Sequence, residues 1–237
     1  MDVTAAPPMS DTATLPGWYG KLASLGDFAQ RRLPPAWVQS CDTWLSHVMQ
    51  RSSEQLGERW LQTYLTAPVL RFAWAPGVLD NQWWFGLLMP SCDNVGRYYP
   101  LLIAQPRARP PVDRIALDHL ELWYTHLANA AVQTLSDQTS LDAFELALSE
   151  APPWPTAGPA SPLNIRSTPT SERYEMAASV PLSRWLPSMA STELLARVAG
   201  CTLWWRATDD GTGASVSLVH RLPGAETFVE LLAGRAG

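Results

Sequence analysis

Apolar residues return at helical spacing through Trp37, Cys41, Trp44, Leu45 and Val48, a single stripe that predicts a helix opened by Pro34-Pro35 and ended by Gly57. A second, short helix carries Trp60, Leu61, Tyr64 and Leu65 and closes at Ala67-Pro68. The pattern then changes to short apolar runs with strand character: Val69 to Ala75, Trp83 to Met89 and Tyr98 to Ala104, with an earlier one at Gly17 to Leu22. Pro76-Gly77 and the segment Pro90 to Arg97 link the three later runs, and links this short predict antiparallel pairing. A long helix over 115–135 turns Leu120, Trp123, Leu127, Ala131 and Leu135 inward, and a shorter one holds Leu141, Phe144 and Leu148.

Residues 151–169 are dense in proline and small polar residues and read as a surface excursion. Beyond them come a strand over 174–180 and a helix over 182–198 broken near Pro187. Strands at 202–206 and 215–220 flank the turn 209–213, and a last helix covers 225–232. Residues 1–16, rich in Thr, Ala, Ser and Pro, are expected to form a flexible leader before one domain spanning 17–237. Helices interleaved with a sheet predict an α/β layered architecture.

Composition narrows the function classes. Hydrophobic residues make up 46% of the 237-residue chain and charged residues 16%, the balance of a folded domain with a sizeable core. A net charge of −5 lacks the basic stripe that phosphate neutralisation needs, which argues against nucleic acid as a partner. Lys21 is the single lysine. Cys41, Cys92 and Cys201 are scattered with no CxxC pair, as expected of reduced thiols in a cytoplasmic protein. The first residues lack a basic start and an apolar segment, so no signal peptide is expected, and no apolar run is long enough for membrane insertion.

Catalytic patterns are sparse, and neither a cofactor nor a metal is expected. Gly211-Thr212-Gly213 is a turn between strands and not a nucleotide-binding loop, and there is no P-loop, HExxH or GxSxG. His119 and His126 lie two turns apart on one helix, too far for an i, i+4 metal pair. The segment from Met89 to Pro100 packs Ser91, Cys92, Asp93 and Arg97 into one link between apolar strands. Ser91 or Cys92 as a hydrolase nucleophile would need a base such as His47, His119 or His220 brought into reach. The structural alternative has Gly96 giving a permissive backbone, Asp93 accepting local N–H groups, and Arg97 pairing with Asp93 or Asp27.

Several blocks together resemble one family. Gly17-Trp18-Tyr19-Gly20-Lys21 followed by Gly26-Asp27-Phe28, then Asp42, Trp44 and Leu45, then Tyr64 to Phe72, are similar to blocks of the TagF (ImpM) family. So are Gly86 to Ser91 with Asp93, Val95, Gly96, Arg97, Tyr98, Tyr99 and Pro100, and later Leu203-Trp204-Trp205 and Leu222-Pro223. The proline usual after the opening lysine block is missing around Ala23. The resemblance implies a stand-alone form without a phosphatase domain. Its fold would be a three-layer sandwich, a mixed and largely antiparallel sheet with helices on both faces. It also implies a non-catalytic cytoplasmic regulator of bacterial type VI secretion, a post-translational repressor that sequesters a forkhead-associated (Fha) scaffold protein. Candidate partner-binding residues on that reading are Trp18, Tyr19, Asp27, Asp93, Arg97 and Tyr98, with Trp18 and Tyr19 expected as exposed anchors. The alternatives are a hydrolase using Ser91 or Cys92, and a structural accessory component of the secretion apparatus.

Overall fold

The computed structural model describes residues 15–111, 113–155, 164–168, 171–175, 193–207 and 214–233. Strands β1 (Gly17–Gly20), β2 (Ala29–Arg31), β3 (Leu70–Trp74), β4 (Trp83–Met89) and β5 (Leu101–Arg107) belong to one sheet. Strands β6 (Asn164–Thr168) and β7 (Ser171–Glu175) pair with each other as a separate hairpin, whereas β8 (Cys201–Ala207) and β9 (Ala214–His220) rejoin the main sheet. Its order is β2-β1-β5-β4-β3-β8-β9, and every neighbouring pair is antiparallel. The last third of the chain therefore extends the first sheet, through the β3–β8 ladder from Arg71↔Trp205 to Trp74↔Thr202.

Period-two alternation divides the side chains between two cores. Leu70, Phe72 and Trp74 of β3, Trp84 and Leu88 of β4, Leu102 and Ala104 of β5 and Trp204 of β8 face one side. Helices α1 (Pro35–Leu56), α2 (Trp60–Leu65) and α6 (Ala225–Ala233) cover that side. Trp83, Phe85, Leu87 and Met89 of β4, with Leu101 and Ile103 of β5, face the other side. Helices α3 (Arg114–Gln133) and α4 (Leu141–Ser149) and the helical residues 193–198 (α5) cover it. All seven residues of β4 are buried, as a central strand covered on both faces requires.

Two expectations shift. The third apolar run begins its ladder at Leu101, not Tyr98, and continues through Gln105-Pro106-Arg107 against Phe85, Trp84 and Trp83. Pro106 is tolerated because β1 pairs with β5 only as far as Ala104, so the ladder needs a donor on one side alone. Asn164–Thr168 form a strand inside the stretch read as an excursion. The strand expected over 174–180 is described only in its first two residues, which end β7, and the helix expected over 182–198 only at 193–198. The turn 209–213 and residues 1–14 lie outside the described residues. Among the described residues, no helix is long and apolar enough to cross a membrane.

Candidate functional site

The link between β4 and β5 is held at its start by the phenol of Tyr64. That hydroxyl donates to the Ser91 carbonyl and accepts from the Ser91 N–H, each at 2.9 Å. The Ser91 hydroxyl donates to the Lys21 carbonyl at 2.8 Å, tying the link to the end of β1. Gly20, just before, has φ +136°, and a Cβ there would stand 2.1 Å from the Pro100 carbonyl oxygen. Only glycine permits that approach.

Asp93 is the hub of the loop. Its Oδ1 accepts the backbone N–H groups of Val95 at 3.2 Å and Arg97 at 2.8 Å. Its Oδ2 accepts from the Lys21 ammonium at 2.9 Å and the Arg97 Nε–H at 2.7 Å. Gly96 turns the chain back with φ 81°, a conformation that favours glycine. The Arg97 guanidinium continues to the Gly26 carbonyl, and the Asn94 N–H donates to the Leu25 carbonyl at 3.0 Å. The 22–28 turn and the 91–99 loop are thus sewn into one edge. Burial alone would raise the Asp93 pKa, but hydrogen bonds from Lys21 and Arg97 outweigh it and hold the carboxyl well below the usual range.

Beside the hub lies an aromatic cluster. The phenols of Tyr19 and Tyr99 both donate to Oδ1 of Asp42, on the second turn of α1, at 2.5 and 2.9 Å. Burial pushes both phenols up; the Asp42 carboxylate adds to the shift at Tyr19, and Tyr19 and Asp42 add to it at Tyr99. Both therefore stay protonated donors. The Phe28 ring stacks on Tyr19 with centroids 5.9 Å apart and meets Tyr99 edge-on at 4.7 Å. The Lys21 ammonium lies 5.0 Å from the Phe28 centroid. Between β2 and the start of α1 this leaves an open notch of about 330 Å³ whose lining includes Tyr19, Phe28 and Asp42.

The candidate residues divide sharply by exposure. Trp18 is fully buried, its indole N–H donating to Glu145 of α4, and Tyr19 is buried as well. The expectation that these two stand as exposed anchors is corrected: β1 is covered on both faces, so each ring enters a core. Asp93 is also buried. Asp27 is exposed, and its carboxylate accepts the Phe28 N–H at 2.8 Å, while Asp93 takes the pairing with Arg97. The Arg97 side chain is 57% exposed, and Tyr98 stands at the surface edge-on to Trp60 and Tyr64. Sequence reasoning passed over Lys21, Phe28, Asp42 and Tyr99 as site residues, although all four fall inside the blocks quoted above. The uniqueness of Lys21 was the one available signal for a committed cation.

Ser91 spends its hydroxyl on a backbone carbonyl, and among the described residues no histidine is a hydrogen-bond partner of Ser91 or Cys92. His47, His119 and His220 are exposed, and the His126 Nε2 bonds the Ala147 carbonyl at 2.7 Å. Among the described residues, no group of three or more His, Cys, Asp and Glu is placed to hold a metal ion.

The model of the TagF N-terminal domain, type VI secretion system-associated, matches residues 17–151, more than half of the chain and the whole of the site just described. The chain belongs to the TagF family. It is thereby a type VI secretion-associated protein. It is also similar to the crystal structure of PA0076 from Pseudomonas aeruginosa PAO1, with 31% identity and a TM-score of 0.74. That match covers 94% of this chain and 96% of the other, so the similarity extends well past the TagF N-terminal domain. No curated protein matches the chain.

Proposed function

We propose that this TagF-family protein is a non-catalytic, cytoplasmic regulator of type VI secretion, a post-translational repressor that captures the forkhead-associated scaffold protein. Its binding surface is the edge formed by residues 26–28 and 94–98. One observation supports this reading above the others: two turns some 70 residues apart are fixed together by Asp93, Arg97 and the Leu25–Asn94 bond, and their outward side carries Phe28, Val95, Arg97 and Tyr98. Phe28 is 45% exposed, while Phe72, Phe85, Phe144 and Phe228 are buried. Exposed aromatic and arginine side chains are the residue types that dominate binding hot spots. A surface already rigid loses little conformational freedom when it docks.

The test is co-purification with the forkhead-associated protein of the same organism, together with a secretion assay during overproduction of this chain. A stable complex and reduced secretion are expected. Absence of the complex, or secretion unchanged by overproduction, would refute the reading.

A further inference from the structure

Asp42 has a carboxylate whose two oxygens differ in what they meet. Oδ1 takes both phenolic hydrogens, from Tyr19 and Tyr99, whereas Oδ2 receives no hydrogen bond and no ion pair among the described residues. The donors it does have are neutral. The nearby cations are spoken for: Lys21 pairs with Asp93, and Arg31 and Arg32 pair with Glu145 on the opposite side of the sheet. Among the described residues, the notch therefore presents one half-buried negative charge without a positive charge to complement it.

We propose that this notch receives an arginine side chain from the protein bound at the edge. The Phe28 ring, already stacked on Tyr19 and approached by the Lys21 ammonium, forms one wall of the notch and reports on what enters it, while the attraction for a cation comes from Oδ2 of Asp42. Pro35 and Val38 offer apolar wall to the methylene stem, and the amides of Gln30 and Gln39 supply further acceptors at the mouth. A planar guanidinium, with five donors spread over one fork, reaches Oδ2 and an amide carbonyl together, which the compact ammonium of lysine does not. A phosphate or other anion is repelled by Asp42. The assignment rests on the preceding reading only in taking the arginine to be part of a protein.

The test uses the intact chain with ring-¹³C-labelled phenylalanine, in which Phe28 is the exposed one of five. N-acetyl-arginine methylamide is titrated against it, with the neutral isostere N-acetyl-citrulline methylamide and N-acetyl-lysine methylamide as comparators. The Phe28 resonance should shift saturably with arginine, and at least ~10-fold more weakly with citrulline and lysine. The four buried phenylalanines should stay unmoved. Asp42→Asn, which keeps an acceptor for the two phenols, should abolish the arginine shift in a protein that circular dichroism shows to be folded at the titration temperature. Equal shifts with arginine and citrulline, equal shifts with arginine and lysine, or no shift of Phe28 would each overturn the proposal. These comparisons need no variant and no scaffold protein. Arginine binding without capture of the scaffold would sustain the notch and remove only the named partner; capture without arginine binding would do the reverse.

Discussion

The ammonium of Lys21 lies 2.9 Å from Oδ2 of Asp93, with the two side chains 5% and 0% exposed. The only lysine of the chain is thus consumed in holding a loop to the end of β1. A buried pair of this kind is worth less than its Coulomb energy, because both charges were desolvated to make it, yet removing one partner leaves the other stranded. Asp93→Ala should therefore lower the unfolding midpoint more than Lys21→Met. The first variant leaves a buried ammonium unpaired and frees two loop N–H groups; the second leaves Asp93 still bound to Arg97. Thermal unfolding followed by circular dichroism checks the order of the three proteins, and a reversed order would contradict the assignment of Asp93 as the hub.

The same geometry fixes a pH dependence. The Asp93 pKa is lowered in the folded protein, so the unfolded chain takes up its proton first as pH falls. Its contribution is complete above the unfolded value of about 4 and fades as pH drops through that value toward the folded one. Glu145 is shifted in the same direction, burial being outweighed by Arg32 and Trp18, and adds to the slope. Stability should thus decline as pH falls from about 5 to 2, and Asp93→Asn should flatten the decline. Urea midpoints measured across that range would show it.

How far the fold could be read in advance depended on what kind of signal marked each element. Helix α1 shows its stripe directly, because Trp37, Cys41, Leu45 and Val48 all enter one core. β4 shows itself as an unbroken apolar run because both of its faces are covered. β2 does not, since Ala29-Gln30-Arg31 is a polar edge strand of three residues that exists only through its pairing with β1. The start of β5 was misplaced for the opposite reason: Tyr98 and Tyr99 have strand-like side chains but are spent on Trp60, Tyr64 and Asp42. The Asp93–Arg97 contact was legible as a local pair. The convergence of Tyr19, Phe28, Asp42 and Tyr99 was not, because it depends on where α1 crosses the sheet and no spacing along the chain encodes that.

Trp18 offers a check on the separation of core from surface. Trp18→Phe keeps a ring against Phe144, whose centroid is 5.5 Å away, but loses the N–H donated to Glu145. A hydrogen bond to a charged group contributes about 1.5–3 kcal/mol. A loss of stability in that range with unaltered partner affinity is expected in a titration at a temperature where the variant is folded. Weakened binding by a fully folded Trp18→Phe protein would reinstate Trp18 as an anchor.

Gly20→Ala should be among the most damaging single changes. The residue holds φ +136°, and the new methyl would meet the Pro100 carbonyl oxygen at 2.1 Å, a backbone atom with no side-chain freedom to give way. Strain and overlap together should cost about 3 kcal/mol or more. Solubility of the expressed variant and its urea midpoint against wild type report the effect.

The central claim is that the Phe28–Tyr98 edge is the surface on which a scaffold protein docks. The direct measurement is calorimetric titration of the purified forkhead-associated protein into wild type and into Phe28→Ala/Tyr98→Ala. The account predicts a dissociation constant raised about 30-fold or more, as for loss of two hot-spot side chains, in a variant that is folded at the temperature of the titration. Equal affinity for the two proteins would contradict it and move the docking surface elsewhere on the molecule.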